Sequence, residues 1–362
     1  MAGSIYRLDV YNTAGTLQAV LTDFTFLAYT KTVNAPGLLR FGLAGDHGLL
    51  SGLADKWQVE VWRKPEGAAW ARDFAAIYRT GQWTHGEISK FIATCPGLMH
   101  LLQWRIVAWK AGTASRSTFT SAKAETIMKT LASYNAAAAA TTGNGRIRDG
   151  AIPGLTVAAD GAAGNTLDWN CAYDNLLETL QKLATIAGGD FDLVKTSATA
   201  WEFRWYTGQL GTDRTATVVF ALERGNMGAP QHIGPRVNER TAAIVAGQGE
   251  EADRATVVRT GANYNASTNN IEMFVNASNS ATTGGLNAQG DRKLAEAQAR
   301  SSFSFQALQA PATLYGVHYF LGDKVTAVNP FTGASLTLKV NSVSVSLDES
   351  GQETIEPRFV AV

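Results

Sequence analysis

The residue types that most often do chemistry are sparse and scattered. The five histidines, His47, His85, His100, His232 and His318, include no pair four residues apart on one helix face. Asp190 and Asp192 lie two apart at the start of a strand pattern. Two carboxyls on one strand face could serve glycoside hydrolysis, but a solvated strand face explains them as well. Glu250-Glu251-Ala252-Asp253 lacks the Asp-x-Asp-x-Asp-Gly spacing of a calcium loop and reads as a surface turn. Gly247-Gln248-Gly249 follows a strand pattern, yet the third glycine and the following helix that a dinucleotide site needs are missing. Gly143-Asn144-Gly145 fails in the same way. There is no Gly-x-Ser-x-Gly elbow and no Walker loop. The sequence therefore nominates no catalytic residue, metal ligand or cofactor, and the expectation is a protein that is not an enzyme.

Nine tryptophans could stack on sugars. Trp57, Trp104, Trp201 and Trp205 sit in apolar patterns and read as core. Trp62, Trp70 and Trp83 are the candidate interface aromatics, because aromatic residues are enriched where subunits meet. Cys95 and Cys171 are too few and too far apart for a disulfide framework and read as two buried thiols.

The elements around these residues are mostly strands. Trp57, Val59 and Val61 alternate with Gln58 and Glu60, the period of a half-buried strand. Phe74–Thr84 and Ile88–Thr94 predict two more strands, joined as a hairpin, and Leu98–Trp109 a strand or a short helix and strand. Past Ala111 the character changes. Helices are predicted over Ala122–Tyr134 and Tyr173–Ala187, the second stopped by Gly188-Gly189, with a loop over 136–145. Strands follow at Phe191–Val194, Trp201–Tyr206, Thr217–Ala221, Thr241–Gly247 and Ala255–Arg259. Residues 261–290 read as a long loop and Asp291–Ser301 as a polar helix. Near the end, Leu336, Leu338 and Val340 alternate, then Val343, Val345 and Leu347 alternate in the opposite phase. That slip at Asn341-Ser342 demands a bulge or bend. The predicted class is α+β, mainly β, in three segments: an N-terminal β module (1–110), an α/β domain (111–210), and a C-terminal β module (211–362) with a loop-helix insertion around 261–301.

Composition narrows the function. Of 362 residues, 45% are hydrophobic and only 17% charged, which suits a protein with neighbours covering its surface. The 31 basic and 31 acidic residues cancel, whereas nucleic-acid binders usually carry a basic excess. Stable nucleic-acid binding is not expected. Arg7 and Asp9 interrupt the first apolar stretch, so no signal peptide is expected, and no apolar run approaches membrane-spanning length. Synthesis in the cytoplasm is the expectation.

One internal echo bears on architecture. Leu53-Ala54-Asp55-Lys56-Trp57-Gln58 resembles Leu321-Gly322-Asp323-Lys324-Val325-Thr326. Asp55, Lys56, Asp323 and Lys324 are then equivalent positions at two strand starts, and the two ends of the chain would carry related β modules.

Several ordered segments resemble the tail-hub, or tail-associated, proteins of siphophages. They are Asn34-Ala35-Pro36-Gly37 with Leu39-Arg40-Phe41, Gln58 through Arg63, Leu101 through Val107, Trp169 with Asn175-Leu176-Leu177, Gly189-Asp190-Phe191, Gly211 through Thr215, Gly225-Asn226-Met227, Gly247 through Glu250, and Leu321 through Val325. The resemblance implies a fold similar to contractile-tail baseplate hubs: two tube-like β-barrel modules at the two ends of the chain with α/β insertions between them. It implies a homotrimer whose six modules form a pseudo-six-fold ring at the virion tail tip. Implied partners are the distal tail protein, the tail tube protein, the tape-measure protein and tip or fibre proteins, with genomic DNA only in transit. Asp348, Glu349, Glu353 and Glu356 are candidates for a lumen or tube-contact face. The chain stops at Val362, so host recognition and wall digestion are expected of other proteins. A hexameric distal-tail ring protein and a host carbohydrate-binding tail-tip module remain alternatives.

Overall fold

The structure is a computed structural model that describes residues 4–109, 116–250, 253–266, 269–278, 282–299 and 301–362. The first segment supplies β1 (Ile5–Tyr11), β2 (Leu17–Leu21), β3 (Phe26–Thr32), β4 (Ala35–Ala44), β5 (Gln58–Lys64), β6 (Ala71–Ile77), β7 (Thr80–Thr84), β8 (Lys90–Pro96) and the short helix α1 (His100–Gln103). The middle supplies β9 (Ser117–Lys123), α2 (Ala124–Ala136), β10 (Leu155–Val157), β11 (Thr166–Cys171), α3 (Leu176–Ala187), β12 (Gly189–Ser197) and β13 (Ala200–Thr207). The rest supplies β14 (Val219–Phe220), β15 (Met227–Ile233), β16 (Ala242–Ala246), β17 (Thr256–Thr260), β18 (Glu272–Asn276), α4 (Thr283–Glu296), β19 (Ser302–Ala307), β20 (Lys324–Val328), β21 (Ser335–Leu347) and β22 (Glu353–Ala361). Among the described residues the chain is thus mainly β with four α-helices. It divides into a larger unit, Met1–Gly228 with Gln306–Val362, and a smaller one, Ala229–Phe305.

In the larger unit, strands from both ends of the chain share one eight-stranded sheet, ordered β14-β20-β21-β3-β4-β8-β7 with β22 also on β21. The phase slip in β21 is a bulge: its register shifts between Val340 and Ser342. Leu338, Val340, Val343 and Val345 are all buried, so the extra residue keeps both halves facing the core. A second sheet runs β2-β1-β5-β6. The predicted strand over Phe74–Thr84 is two strands, because Tyr78 and Arg79 carry the chain from one sheet to the other. β6 pairs with β5, and β7 with β8. Gln58 and Glu60 were expected on a wet face, but both are buried. β5 is one of the two inner strands of its sheet, and the polar side chains on its second face are covered as well.

The α/β region packs α2 and α3 against β12 and β13 around Ile127, Leu131, Leu180, Leu183, Phe191 and Phe203. The helix expected from Tyr173 begins at Leu176, since the Asn175 side chain accepts from the Leu177 and Glu178 amides. Gly188 closes it in the left-handed region at φ 66°. Of the two alternatives for Leu98–Trp109 the short helix is present as α1, and the strand after it is reduced to isolated bridges from Ile106 to Asn175 and from Trp109 to Arg146. Part of the expected 250–253 turn, Glu251 and Ala252, and the change of character at Ala111 lie outside the described residues.

In the smaller unit α4 lies on one face of the sheet β17-β16-β18. The expected long loop is here a strand, β18, paired in parallel with β16, plus the first half of the helix. Gly284, Gly285 and Gly290 made that half read as loop. Gly290 sits where a Cβ would come within 2.7 Å of Val245, so close packing on β16 selects it against helix propensity.

Candidate functional site

The larger unit is tied together where segments distant in sequence meet, and polar side chains make the ties. Asp190 is the clearest case. It is 2% exposed. It accepts from Asn34 Nδ2 at 3.1 Å in the β3–β4 turn, from Lys339 Nζ at 2.7 Å on β21, and from the Leu210 amide at 2.7 Å. Asn34, at φ 58°, returns its Oδ1 to the Phe191 amide at 2.7 Å. One carboxylate thus joins the first segment, the α/β region and the last hairpin. The solvated strand face expected for Asp190 and Asp192 is corrected accordingly. Asp192 is half-buried, and burial pushes its carboxyl above the ordinary value.

A second tie joins β5 to the hairpin tip. Arg63 Nη2 meets Glu353 Oε1 at 3.0 Å, its Nε donates to Tyr6 OH at 2.7 Å, and its Nη1 to the Tyr315 carbonyl at 2.8 Å. Tyr6 also donates to Glu353. Burial alone would raise the Glu353 carboxyl; the Tyr6 hydrogen bond and the Arg63 charge outweigh it and hold the group below its ordinary 4.5. Nearby, Lys31 Nζ pairs with Asp73 at 2.7 Å, and Tyr29 and Tyr315 both donate to that carboxylate. Here too burial opposes, and the Lys31 charge prevails to lower Asp73. Sequence reasoning missed Lys31, Arg63 and Asp73. Each is one of several polar residues in its strand, and its partner is tens to hundreds of positions away.

The nominated strand-start residues differ sharply. Asp55 is exposed and only reaches Arg79 at 3.4 Å. Asp323 is 2% exposed and accepts from the Thr212 amide at 2.6 Å, Arg214 Nε at 2.7 Å and the Phe320 amide at 2.8 Å. The two openings are nevertheless built alike. Lys56 N bonds Tyr78 O and Tyr78 N bonds Trp57 O; Gly322 N bonds Val340 O and Val340 N bonds Asp323 O. Lys56 (φ 67°) and Gly322 (φ 85°) each sit in the left-handed region two residues before their strand. The backbone equivalence is therefore Lys56 with Gly322, two positions from the match of letters.

Of the nominated acids, Asp348, Glu349 and Glu356 are exposed at the β21–β22 hairpin. Asp348 closes the turn by accepting from the Ser350 and Gln352 amides, both at 2.9 Å, and Glu349 reaches Lys90 at 3.3 Å. Glu353 points inward to Arg63. Trp62 and Trp70 flank the Arg7 guanidinium, each at 5.1 Å. Trp83 is 55% exposed on β7, an edge strand of the eight-stranded sheet, with Nε1 bonded to the Gly45 carbonyl at 3.0 Å.

Among the described residues no three His, Cys, Asp or Glu side chains gather as a metal site, and no helix is long and apolar enough to cross a membrane. Both cysteines are buried and unpaired. Burial raises their thiols, Cys171 to about 11, which keeps that group protonated at neutral pH.

Open mixed sheets, an intervening α/β layer and a small inserted sheet-and-helix unit define a fold shared with phage tail proteins. The prophage MuSo2 43 kDa tail protein from Shewanella oneidensis matches with a TM-score of 0.57 at 12% identity, over 98% of this chain and 97% of that one. The tail protein from Neisseria meningitidis MC58 matches at 0.53 and 11%, over 98% and 96%. Prophage tail protein gp18 from Listeria monocytogenes matches at 0.53 and 10%, over 97% and 94%. A chain of the Francisella PdpA–VgrG complex matches at 0.55 and 9%, over 99% of this chain and 58% of that one. The chain belongs to the Siphovirus ReqiPepy6 Gp37-like protein family, whose pattern it matches over residues 7–359. No curated protein matches it in sequence.

Proposed function

We propose that the chain is a structural tail-hub protein at the tail tip of a long-tailed phage, acting as a ring of three copies. The observation that carries this is a fold likeness spanning nearly all of both chains for three tail proteins, joined to a siphovirus family match over residues 7–359. The two alike strand openings support related β modules at the two chain ends, within the segments 1–110 and 211–362 that flank an α/β domain at 111–210. Two modules per chain and three chains make six, the symmetry of a tail tube. The sheets are open in one chain, so barrel-like modules would be completed against neighbouring copies. The ring would close the distal tube against the distal tail, tube, tape-measure and tip or fibre proteins, and pass genomic DNA at ejection. Asp348, Glu349 and Glu356 supply exposed negative charge for a wall that DNA slides past rather than sticks to. The work is mechanical, not catalytic. Native mass spectrometry tests the reading: a trimer is expected, and a stable hexamer overturns it.

A further inference from the structure

Two exposed patches of the larger unit stand outside the buried ties, and their characters are opposite. The first surrounds residues 105–109. Val107 N donates to the Asp174 carbonyl at 2.9 Å, the Val107 carbonyl accepts from Tyr173 N at 2.8 Å, and Ile147 N donates to the Ala108 carbonyl at 3.0 Å. Three neighbouring backbones thus present Ile106, Ile147 and Tyr173, which are 50%, 54% and 58% exposed. Arg105, Arg146 and Arg148 belong to the same backbones. The Trp104 carbonyl holds Arg105 Nη1 at 3.1 Å, and the Ile106 carbonyl holds Arg146 Nη2 at 3.2 Å. A carbonyl fixes a guanidinium without cancelling its charge. Burial and the crowding of like charges push Arg105 and Arg146 below their ordinary value, which Asp149 offsets only in part at Arg146. Counting Asp149 and Asp174, three positive charges stand against two negative, so the patch is net positive.

The second patch is the tip of the β7–β8 hairpin. Trp83 and Ile88 stand out of it, Ile88 at 74% exposure. Stacking on His85 at 5.6 Å and the bond to the Gly45 carbonyl hold the Trp83 ring in place. Gly45 N donates to the Ser89 carbonyl at 2.8 Å, which brings Asp46 beside the tip. Glu87 and Asp46 are exposed, while Lys90 is engaged by Glu349. The tip therefore offers two large apolar side chains flanked by carboxylates. The patches lie toward opposite ends of the hairpin: the Arg79 guanidinium, just before β7, stands 5.3 Å over the Trp104 ring, and the tip follows the far end of β7.

Exposed apolar clusters mark interfaces, and Trp, Tyr and Arg dominate their energetics. A rotational ring joins two unlike patches, one from each neighbour. We propose that the β7–β8 tip of one copy docks on the 105–109 face of the next copy. The contact depends on the chain forming a ring. Trp83 and Ile88 cover Ile106, Ile147 and Tyr173, while Glu87 and Asp46 meet Arg105 and Arg148. Apolar area supplies the adhesion, and the opposite charges fix which patches pair.

The test uses the full chain with Ile88→p-benzoylphenylalanine as a photo-crosslinker, alongside native mass spectrometry. Irradiation should give a covalent ladder ending at three copies, with linked peptides from 104–109, 146–148 or 173–175. Glu87→Arg and Arg148→Glu should each weaken trimer formation about tenfold, and the two together should restore it. All three positions are exposed, so melting temperatures should hold. If one charge variant fails to fold, the other and the crosslink remain decisive. A parent trimer that crosslinks elsewhere and ignores both charge reversals overturns this contact and leaves the ring of three standing. A ladder through the named peptides that ends at six keeps the contact and overturns the ring of three. A monomeric parent with no ladder overturns both.

Discussion

Residues 53–58 and 321–326 share letters and a backbone turn, yet they do different work. At the first, Asp55 stands in solvent beside Arg79, and the left-handed position is filled by Lys56. At the second, Asp323 is enclosed and gathers three donors from the Gly211–Arg214 loop and Phe320, while glycine takes the left-handed position. The difference teaches that the turn geometry is local and cheap, whereas the carboxylate matters only where a second segment folds over it. In water an ion pair is worth little; enclosed, its loss strands every donor aimed at it.

The comparison breaks most visibly at the aspartates. Asp323→Ala should cost about 3–5 kcal/mol in a urea titration, since it leaves Arg214 and two amides unmet. Asp55→Ala should stay within about 0.5 kcal/mol of the parent. Equal losses at the two sites would refute the contrast. Asp190→Ala should match Asp323→Ala, because the Asn34, Lys339 and Leu210 donors all converge on it.

The next effect lies in the backbone and has opposite signs at the two openings. Gly322→Ala forces a Cβ to 2.8 Å from the Gly211 nitrogen and into the left-handed region, costing about 2 kcal/mol or more. Lys56→Gly relieves the same torsion and should stabilise by roughly 0.5–1 kcal/mol. Thermal melts of the two variants should move in opposite directions; movement in the same direction would dissolve the backbone equivalence.

Acid gives a smaller, graded test. Glu353 and Asp73 have folded pKa values below their ordinary 4.5 and 3.8. Their stabilisation is complete above those ordinary values and is lost as pH falls through the folded ones. Urea midpoints should therefore be flat through neutral pH and drop below about pH 4.5. Glu353→Gln should lower the neutral midpoint and flatten the acid limb. An acid limb unchanged by that substitution would remove Glu353 from the tie. The exposed acids Asp348, Glu349 and Glu356 should leave chain stability nearly unaltered when neutralised together. Their effect, if they face a lumen, belongs to DNA release from assembled tails.

How much of this the residues announced depends on range. Both main helices were readable, because their apolar spacing and, for α3, a terminal glycine are local signals. So was the bulge in β21, since a change of phase within one strand admits few other solutions. The repeat was visible as letters, but its structural register lay two residues away, because the left-handed φ, not the Asp-Lys pair, is what the two turns have in common. β18 and the first half of α4 were misread as loop because packing on β16 selected glycine and polar residues that local rules assign to turns.

By itself, the sequence determined the mainly β class and the family resemblance. Alternation, helical spacing and turn residues act over a few positions, and ordered short motifs survive in a linear string. Only the tertiary structure decided that the two chain ends share one sheet and that Asp190 and Asp323 are enclosed while Asp55 is not. Burial and partner choice are set by segments up to hundreds of residues apart, and the strength of a charge or an unmet hydrogen bond follows from that enclosure.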